Sequence, residues 1–300
     1  MMKEIKNTGY LREGYIKVTG GNVWCKIIGA NKDKTPVIIL HGGPAASHYY
    51  LEPLEAFSSS RPVIFYDQLG CGLSDKTTNK SLWTIEHFIE ELSEIRAELN
   101  LKNMHILGHS WGTMLAIDYM LKFSSKGIVS FVLSAPCLCA KMWSLDQRKY
   151  LLELPSKMQE IIFRTEKNGD FSSKEYQDIM TYYYKLHLCR LDPWPECLDK
   201  ALSEMNYEIY KYMWGPSEFT ITGTLKNYDR INDLYKIKIP VLFTCGEFDE
   251  ATPQAADYYH KKIPQSELFV FKDASHNHHL EKTEEYLKLV DNFLTTAEKK

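Results

Sequence analysis

A single pentapeptide constrains this chain more than any other feature. Gly108-His109-Ser110-Trp111-Gly112 follows the apolar run 104–107 (MHIL) and precedes a helical pattern opening with TMLAIDYM. Strand, sharp turn and helix in that order make a nucleophile elbow, which lifts a serine above the end of a sheet. The serine then sits at a strained turn and at a helix N-terminus whose dipole favours negative charge. The flanking glycines let strand and helix approach with no Cβ between them. Alone the motif is weak, because a G-x-S-x-G arises by chance in roughly one chain in ten of this length. Its placement between a strand and a helix, and the companions described below, carry the argument.

Five further runs rich in Val, Ile, Leu and Phe, at 36–40, 62–66, 128–133, 240–244 and 267–271, read as buried strands beside 104–107. Near-continuous apolar strands predict a mostly parallel sheet covered on both faces. Helical patterns at 85–99, 111–123 and 281–294 alternate with them, which gives a doubly wound α/β fold. Residues 15–28 alternate more and predict an antiparallel edge hairpin turning at Gly20-Gly21. From 136 to 224 the alternation stops. That stretch holds amphipathic patterns rich in Tyr, Met and Lys, such as 150–164 and 174–188, and reads as a helical cap inserted into the sheet domain. Residues 1–135 and 225–300 together then form one core, with 136–224 as the cap.

Composition excludes several classes of function. A formal charge of −3 leaves no basic surplus to neutralise phosphates, so nucleic acid is not an expected partner. No apolar run approaches the roughly 18 residues of a membrane span, and the first residues hold no apolar signal-peptide core, so neither membrane association nor secretion is expected. Seven cysteines, an odd number without scaffold spacing, fit free thiols in a reducing cytoplasm. Cys137 and Cys139 read as neighbouring buried thiols. The HNHH cluster at 276–279 has no H-E-x-x-H or cysteine-bearing partner nearby, so no metal is expected.

A serine that attacks a carbonyl needs donors for the oxyanion, each worth about 3 kcal/mol. The N–H of Trp111 is one. The other is expected from the loop HGGP at 41–44, after the strand VIIL, and is assigned to Gly43. The serine also needs a base held by a carboxylate, in the chain order serine, acid, histidine. Asp249 follows the strand PVLFTC and His276 follows ELFVF, each on a strand-end loop. Three histidines crowd this loop, so spacing alone does not force the choice of base; His276 is nearest the strand end, whereas His278 and His279 lie nearer the helix start and are expected to be solvent-exposed or capping. His41 and His109 read as supporting or packing residues.

With HGGP, DQLGCGLSD at 67–75, GHSWG, GEFDE and the ASH loop in order, the chain resembles the proline iminopeptidases. The likeness is greatest to the kind described as tricorn-interacting aminopeptidases. It spans nearly the whole chain and is weakest in the first cap helices. It implies an α/β-hydrolase core with a helical cap, the triad Ser110, Asp249 and His276, and a cofactor-free cytosolic serine peptidase. The implied activity releases the N-terminal residue, proline first, from short peptides with a free N-terminus. The resemblance also implies that Glu218, in WGPSEFTITG, and Glu250 hold the substrate's α-amino group. An amine with a solution pKa near 8 stays protonated between two carboxylates.

One position departs from the family pattern. HGGPG is usual, whereas this chain has Ala45 last; if that position needs positive φ, alanine is strained by about 1 kcal/mol or more. An esterase or a carbon–carbon bond hydrolase would use the same triad, and some proteins of this architecture are non-catalytic ligand-binding modules. Paired carboxylates separate the first two readings from an aminopeptidase, and an intact triad separates the third.

Overall fold

A computed structural model describes residues 2–299; Met1 and Lys300, the outermost residues of the two expected core segments, lie outside it. Nine strands form one sheet: β1 (Lys3–Asn7), β2 (Leu11–Val18), β3 (Gly21–Ile28), β4 (Val37–Leu40), β5 (Val63–Tyr66), β6 (Met104–His109), β7 (Ile128–Ser134), β8 (Val241–Gly246) and β9 (Ser266–Phe271). Their order is β1-β2-β3-β5-β4-β6-β7-β8-β9. Pairing is parallel from β5 through to β9, while β1, β2 and β3 run antiparallel.

Apart from β9, the apolar runs become strands because a covered sheet can bury nearly every side chain they carry, on alternating faces. The run 267–271, expected to be buried, is instead the edge strand β9, with Glu267 and Val270 exposed and Leu268 and Phe269 half-buried. Ile38, Leu40, Ile64, Ile106, Phe131 and Phe243 enter one core. Val37, Ile39, Val63, Leu107, Val132 and Leu242 enter the other. The predicted hairpin is β2 and β3, paired through Val18 and Gly21 with Gly20 at φ 97°. It is not at the edge, however. The exposed strand β1 pairs outside β2, and its sequence KEIKN offered no apolar signal. Its charged side chains discourage pairing with another chain.

Helices α1 (Ile85–Glu98) and α2 (Trp111–Phe123) cover one face. Between β7 and β8 stand α3 (Ala140–Glu153), α4 (Ser156–Asn168), α5 (Lys174–His187), α6 (Glu196–Ser203) and α7 (Tyr207–Met213). The single helix predicted over 150–164 is two helices, because the apolar period runs through Pro155, which has no N–H to continue α3 and instead takes the N-cap position of α4. Part of the insertion has its own core, in which Leu151, Ile162, Tyr176, Ile179, Tyr183 and Phe219 are buried. After β8 come α8 (Pro253–His260), the one-turn α9 (His278–Glu281) and α10 (Thr283–Ala297). Among the described residues no helix is long and apolar enough to cross a membrane.

Candidate active site

Ser110 occupies the bend between β6 and α2 at φ 55° and ψ −120°, a conformation that L residues adopt only under constraint. Its N–H donates to the Ser134 carbonyl at 2.9 Å, which ties the bend to β7. A Cβ on Gly108 would lie 2.4 Å from the Gly112 carbonyl oxygen, and one on Gly112 would lie 2.2 Å from that of Leu40. Both flanking glycines are therefore fixed by close backbone packing. Trp111 opens α2, where the first N–H groups lack intrahelical acceptors.

The loop after β4 comes against this bend, with a Cβ built on Gly42 falling 3.1 Å from the Ser110 Cβ. Gly43 lies at φ 116°, a region open to glycine. Ala45 lies at φ 74°, so the departing residue does carry the left-handed conformation, at a cost of about 1–2 kcal/mol. It is buried, and its carbonyl accepts from Asn206 N at 3.0 Å. A side-chain network braces the loop. Gln68 N donates to His41 Nε2 at 3.0 Å, leaving the His41 proton on Nδ1 to donate to the Gly42 carbonyl at 3.0 Å. Gln68 Nε2 donates to the His41 carbonyl, and its Oε1 accepts from the Trp111 indole at 2.9 Å.

Asp249 is fully buried on the loop after β8. Its Oδ1 accepts from His276 Nδ1 and from Ala251 N, both at 2.7 Å, and its Oδ2 accepts from Gly246 N at 3.2 Å. With Nδ1 donating, the His276 proton-accepting nitrogen is Nε2. His276, Ser110, Gly43, Glu218 and Glu250 line one cavity of about 220 Å³ under the inserted helices. The expectation for the next two histidines fails, since His278 and His279 are both buried. His278 Nε2 sits 3.0 Å from Ser134 Oγ and 2.9 Å from Thr244 Oγ1, and His279 Nε2 donates to the Tyr50 carbonyl at 3.0 Å. The loop turns inward over the strand ends, a path that residue order does not reveal.

Glu218 and Glu250 are both buried in the cavity wall. Tyr210 Oη and Trp214 Nε1, the latter at 3.1 Å, donate to Glu218. Glu250 Oε1 lies 3.7 Å from His276 Nε2, while its Oε2 is buried and finds no hydrogen-bond partner among the described residues. Burial raises the Glu218 carboxyl above its ordinary range, against the pull of its hydrogen bonds. It raises Glu250 further, and the charges of Glu218 and Asp249 add to the effect. Beside Ser110 a second, narrow pocket lies between Pro44, Met114, Cys137, Trp143, Trp214 and Glu218. Tyr210, Trp143 and Trp214 were not legible as site residues, because only the folded insertion brings them to Ser110.

A serine on a strand-to-helix elbow, with an aspartate-bound histidine at the same end of a mostly parallel sheet, defines an α/β-hydrolase. The family model described as alpha/beta hydrolase fold matches residues 35–283. The chain is 47% identical over 285 residues to the proline iminopeptidase of Heyndrickxia coagulans, covering 95% of this chain and 99% of that protein. It is 39% identical to the proline iminopeptidase of Saccharolobus solfataricus, covering 95% and 92%. The crystal structure of the Mycobacterium smegmatis proline iminopeptidase superposes with a TM-score of 0.87 at 31% identity, covering 95% of this chain and 98% of that one. The chain belongs to the proline iminopeptidase family.

Proposed function

We propose that this protein is a serine aminopeptidase that releases the N-terminal residue, proline first, from short peptides through an acyl-enzyme. The observation that carries the reading is the pair of buried carboxylates, Glu218 and Glu250, in one cavity with Ser110 and His276, with a Glu250 oxygen left without a partner. A buried carboxylate lacking a partner is costly, and a substrate ammonium would relieve that cost. Fixing the amine there leaves only the first peptide bond within reach of Ser110. An ester substrate without an amine gives the two carboxylates nothing to bind, and the relatives' names point the same way.

In this mechanism His276 Nε2 takes the Ser110 proton as the hydroxyl oxygen attacks the first carbonyl. The Gly43 and Trp111 N–H groups receive the oxyanion. The carbon–nitrogen bond breaks, His276 returns the proton to the leaving nitrogen, and water then hydrolyses the ester to free the amino acid and Ser110. The insertion 136–224 acts as the cap over the cavity that holds Ser110 and the two carboxylates. The free cysteines, buried except for the half-buried Cys197, suit a reducing cytoplasm.

Ser110→Ala is expected to abolish turnover. Glu250→Gln is expected to raise KM for an aminoacyl arylamide by roughly 10- to 100-fold, the equivalent of about 1.5 to 3 kcal/mol for one charge-assisted hydrogen bond. An aryl ester with no amine should change by less than about twofold. Equal effects on both substrates would refute the amine anchor.

A further inference from the structure

The proposed oxyanion loop and the loop bearing His276 are far apart in sequence, yet one chain of hydrogen bonds joins them. Gly42 N donates to Tyr50 Oη at 2.8 Å. Tyr50 Oη lies 3.0 Å from His109 Nδ1, and His109 Nε2 lies 3.0 Å from the carbonyl oxygen of His276. The two ends fix every proton between them. An amide N–H can only donate and a carbonyl can only accept, so His109 carries its proton on Nε2 and receives the Tyr50 hydroxyl proton at Nδ1.

We propose that Tyr50 and His109 are positioning residues that hold the Gly42-Gly43 loop and the His276 loop in one fixed geometry across Ser110. This rests on the functional reading above and adds to it two residues that line the cavity beside Ser110 and act through the loops they join.

Three further observations support the assignment. Tyr50 and His109 are both buried, and burial, reinforced by the neighbouring His276, lowers the proton affinity of His109 well below that of a free imidazole. The neutral ring that the chain requires is therefore the stable one; an imidazolium would turn Nδ1 into a donor and leave the Tyr50 proton without an acceptor. The fit is also tight, because a Cβ on Gly42 would meet Tyr50 Oη at 2.9 Å and His109 O at 3.2 Å. Finally, the link is doubled. His279 Nε2, on α9 directly after the His276 loop, donates to the Tyr50 carbonyl at 3.0 Å, so Tyr50 is tied to this part of the chain at its backbone as well as, through His109, at its hydroxyl.

Charge develops on the oxyanion and on His276 only in the transition state, so loosening this link should lower kcat and spare KM. Tyr50→Phe and His109→Phe keep the ring volume and delete the polar link. Each is expected to lower kcat for an aminoacyl arylamide by roughly 10- to 100-fold, the scale of an ångström-level misplacement, with KM within about twofold. The double variant should lose no more than the worse single one, since both cut the same chain. His109→Gln, which can donate to the His276 carbonyl and accept from Tyr50, should recover most of the rate. The inference is overturned if Tyr50→Phe keeps its kcat, if the change falls on KM, or if the two losses multiply. Should His109→Phe fail to fold, Tyr50→Phe and His109→Gln decide the matter. Ser110→Ala, assayed alongside, separates the two levels. If it is inactive while Tyr50→Phe is unaffected, only the positioning role fails; if it still turns over, the reading of the site itself fails.

Discussion

Glu91, on α1, is fully buried, with Oε2 accepting from Leu69 N at 2.9 Å and Oε1 without a partner among the described residues. Burial pushes its carboxyl up to about 8. An unfolded glutamate ionises near 4.3, so between about pH 4.5 and pH 8 the folded protein keeps a proton that the unfolded chain releases. Stability attributable to this residue therefore falls as pH rises across that window. Glu91→Gln retains an acceptor for Leu69 and cannot ionise. Thermal unfolding should show it more stable than the parent at pH 8 and about equal at pH 4.5; an equal shift at both would mean that Glu91 is ionised in the folded state. The same logic of burial governs Glu250, except that it lines the cavity shared with Ser110, with Oε1 3.7 Å from His276 Nε2, instead of a core.

Among the elements, the inserted helices do more than cover the cavity. Gln147 on α3 donates to the Glu250 carbonyl at 2.8 Å, Tyr150 Oη donates to the Asp249 carbonyl at 3.0 Å, and His187 Nδ1 donates to the Phe248 carbonyl at 2.8 Å. At the end of α5 the carbonyls of His187 and Leu188 accept from His276 N and Asn277 N. Both loops that carry Asp249, Glu250 and His276 are thus hydrogen-bonded to the insertion. Gln147 also accepts from the buried Tyr183 hydroxyl, so Gln147→Leu strands a carbonyl and a hydroxyl, at about 1–3 kcal/mol each. That variant should melt earlier and raise KM for a free-amine substrate at least severalfold, while Ser110 still reacts with a fluorophosphonate. An unaltered KM would show that the Glu250 loop holds its place without α3.

For the whole molecule, α10 closes the second face of the sheet. Tyr286, Val290, Phe293 and Leu294 are buried there in the core shared with Val37, Val63 and Leu242. Arg61, fully buried, reaches the end of the helix, with Nη1 2.6 Å from Glu298 Oε1 and Nη2 3.2 Å from Thr295 Oγ1. At about 1.5–3 kcal/mol for each large apolar side chain, the four together amount to roughly 6–12 kcal/mol. Total stability is itself only about 5–15 kcal/mol. Truncation after Lys282 is therefore expected to abolish the cooperative unfolding transition and to expose dye-binding apolar surface, as circular dichroism and fluorescence would report. A truncated chain that still melts cooperatively would mean that the rest of the sheet stands without this cover.

The sequence by itself determined the parallel strands, the elbow at Ser110 and the order of acid and histidine, because apolar period and glycine placement act over a few residues. Ala45 was marked in advance only by its departure from the family's HGGPG pattern, and the structure supplied its φ of 74°. Only the tertiary structure decided that His278 and His279 are buried and that β1 takes the edge. It alone set Tyr50 beside His109, and Tyr210 and Trp214 beside Glu218. Those arrangements depend on which polar groups lose water together, and that is settled by segments brought into contact from distant parts of the chain.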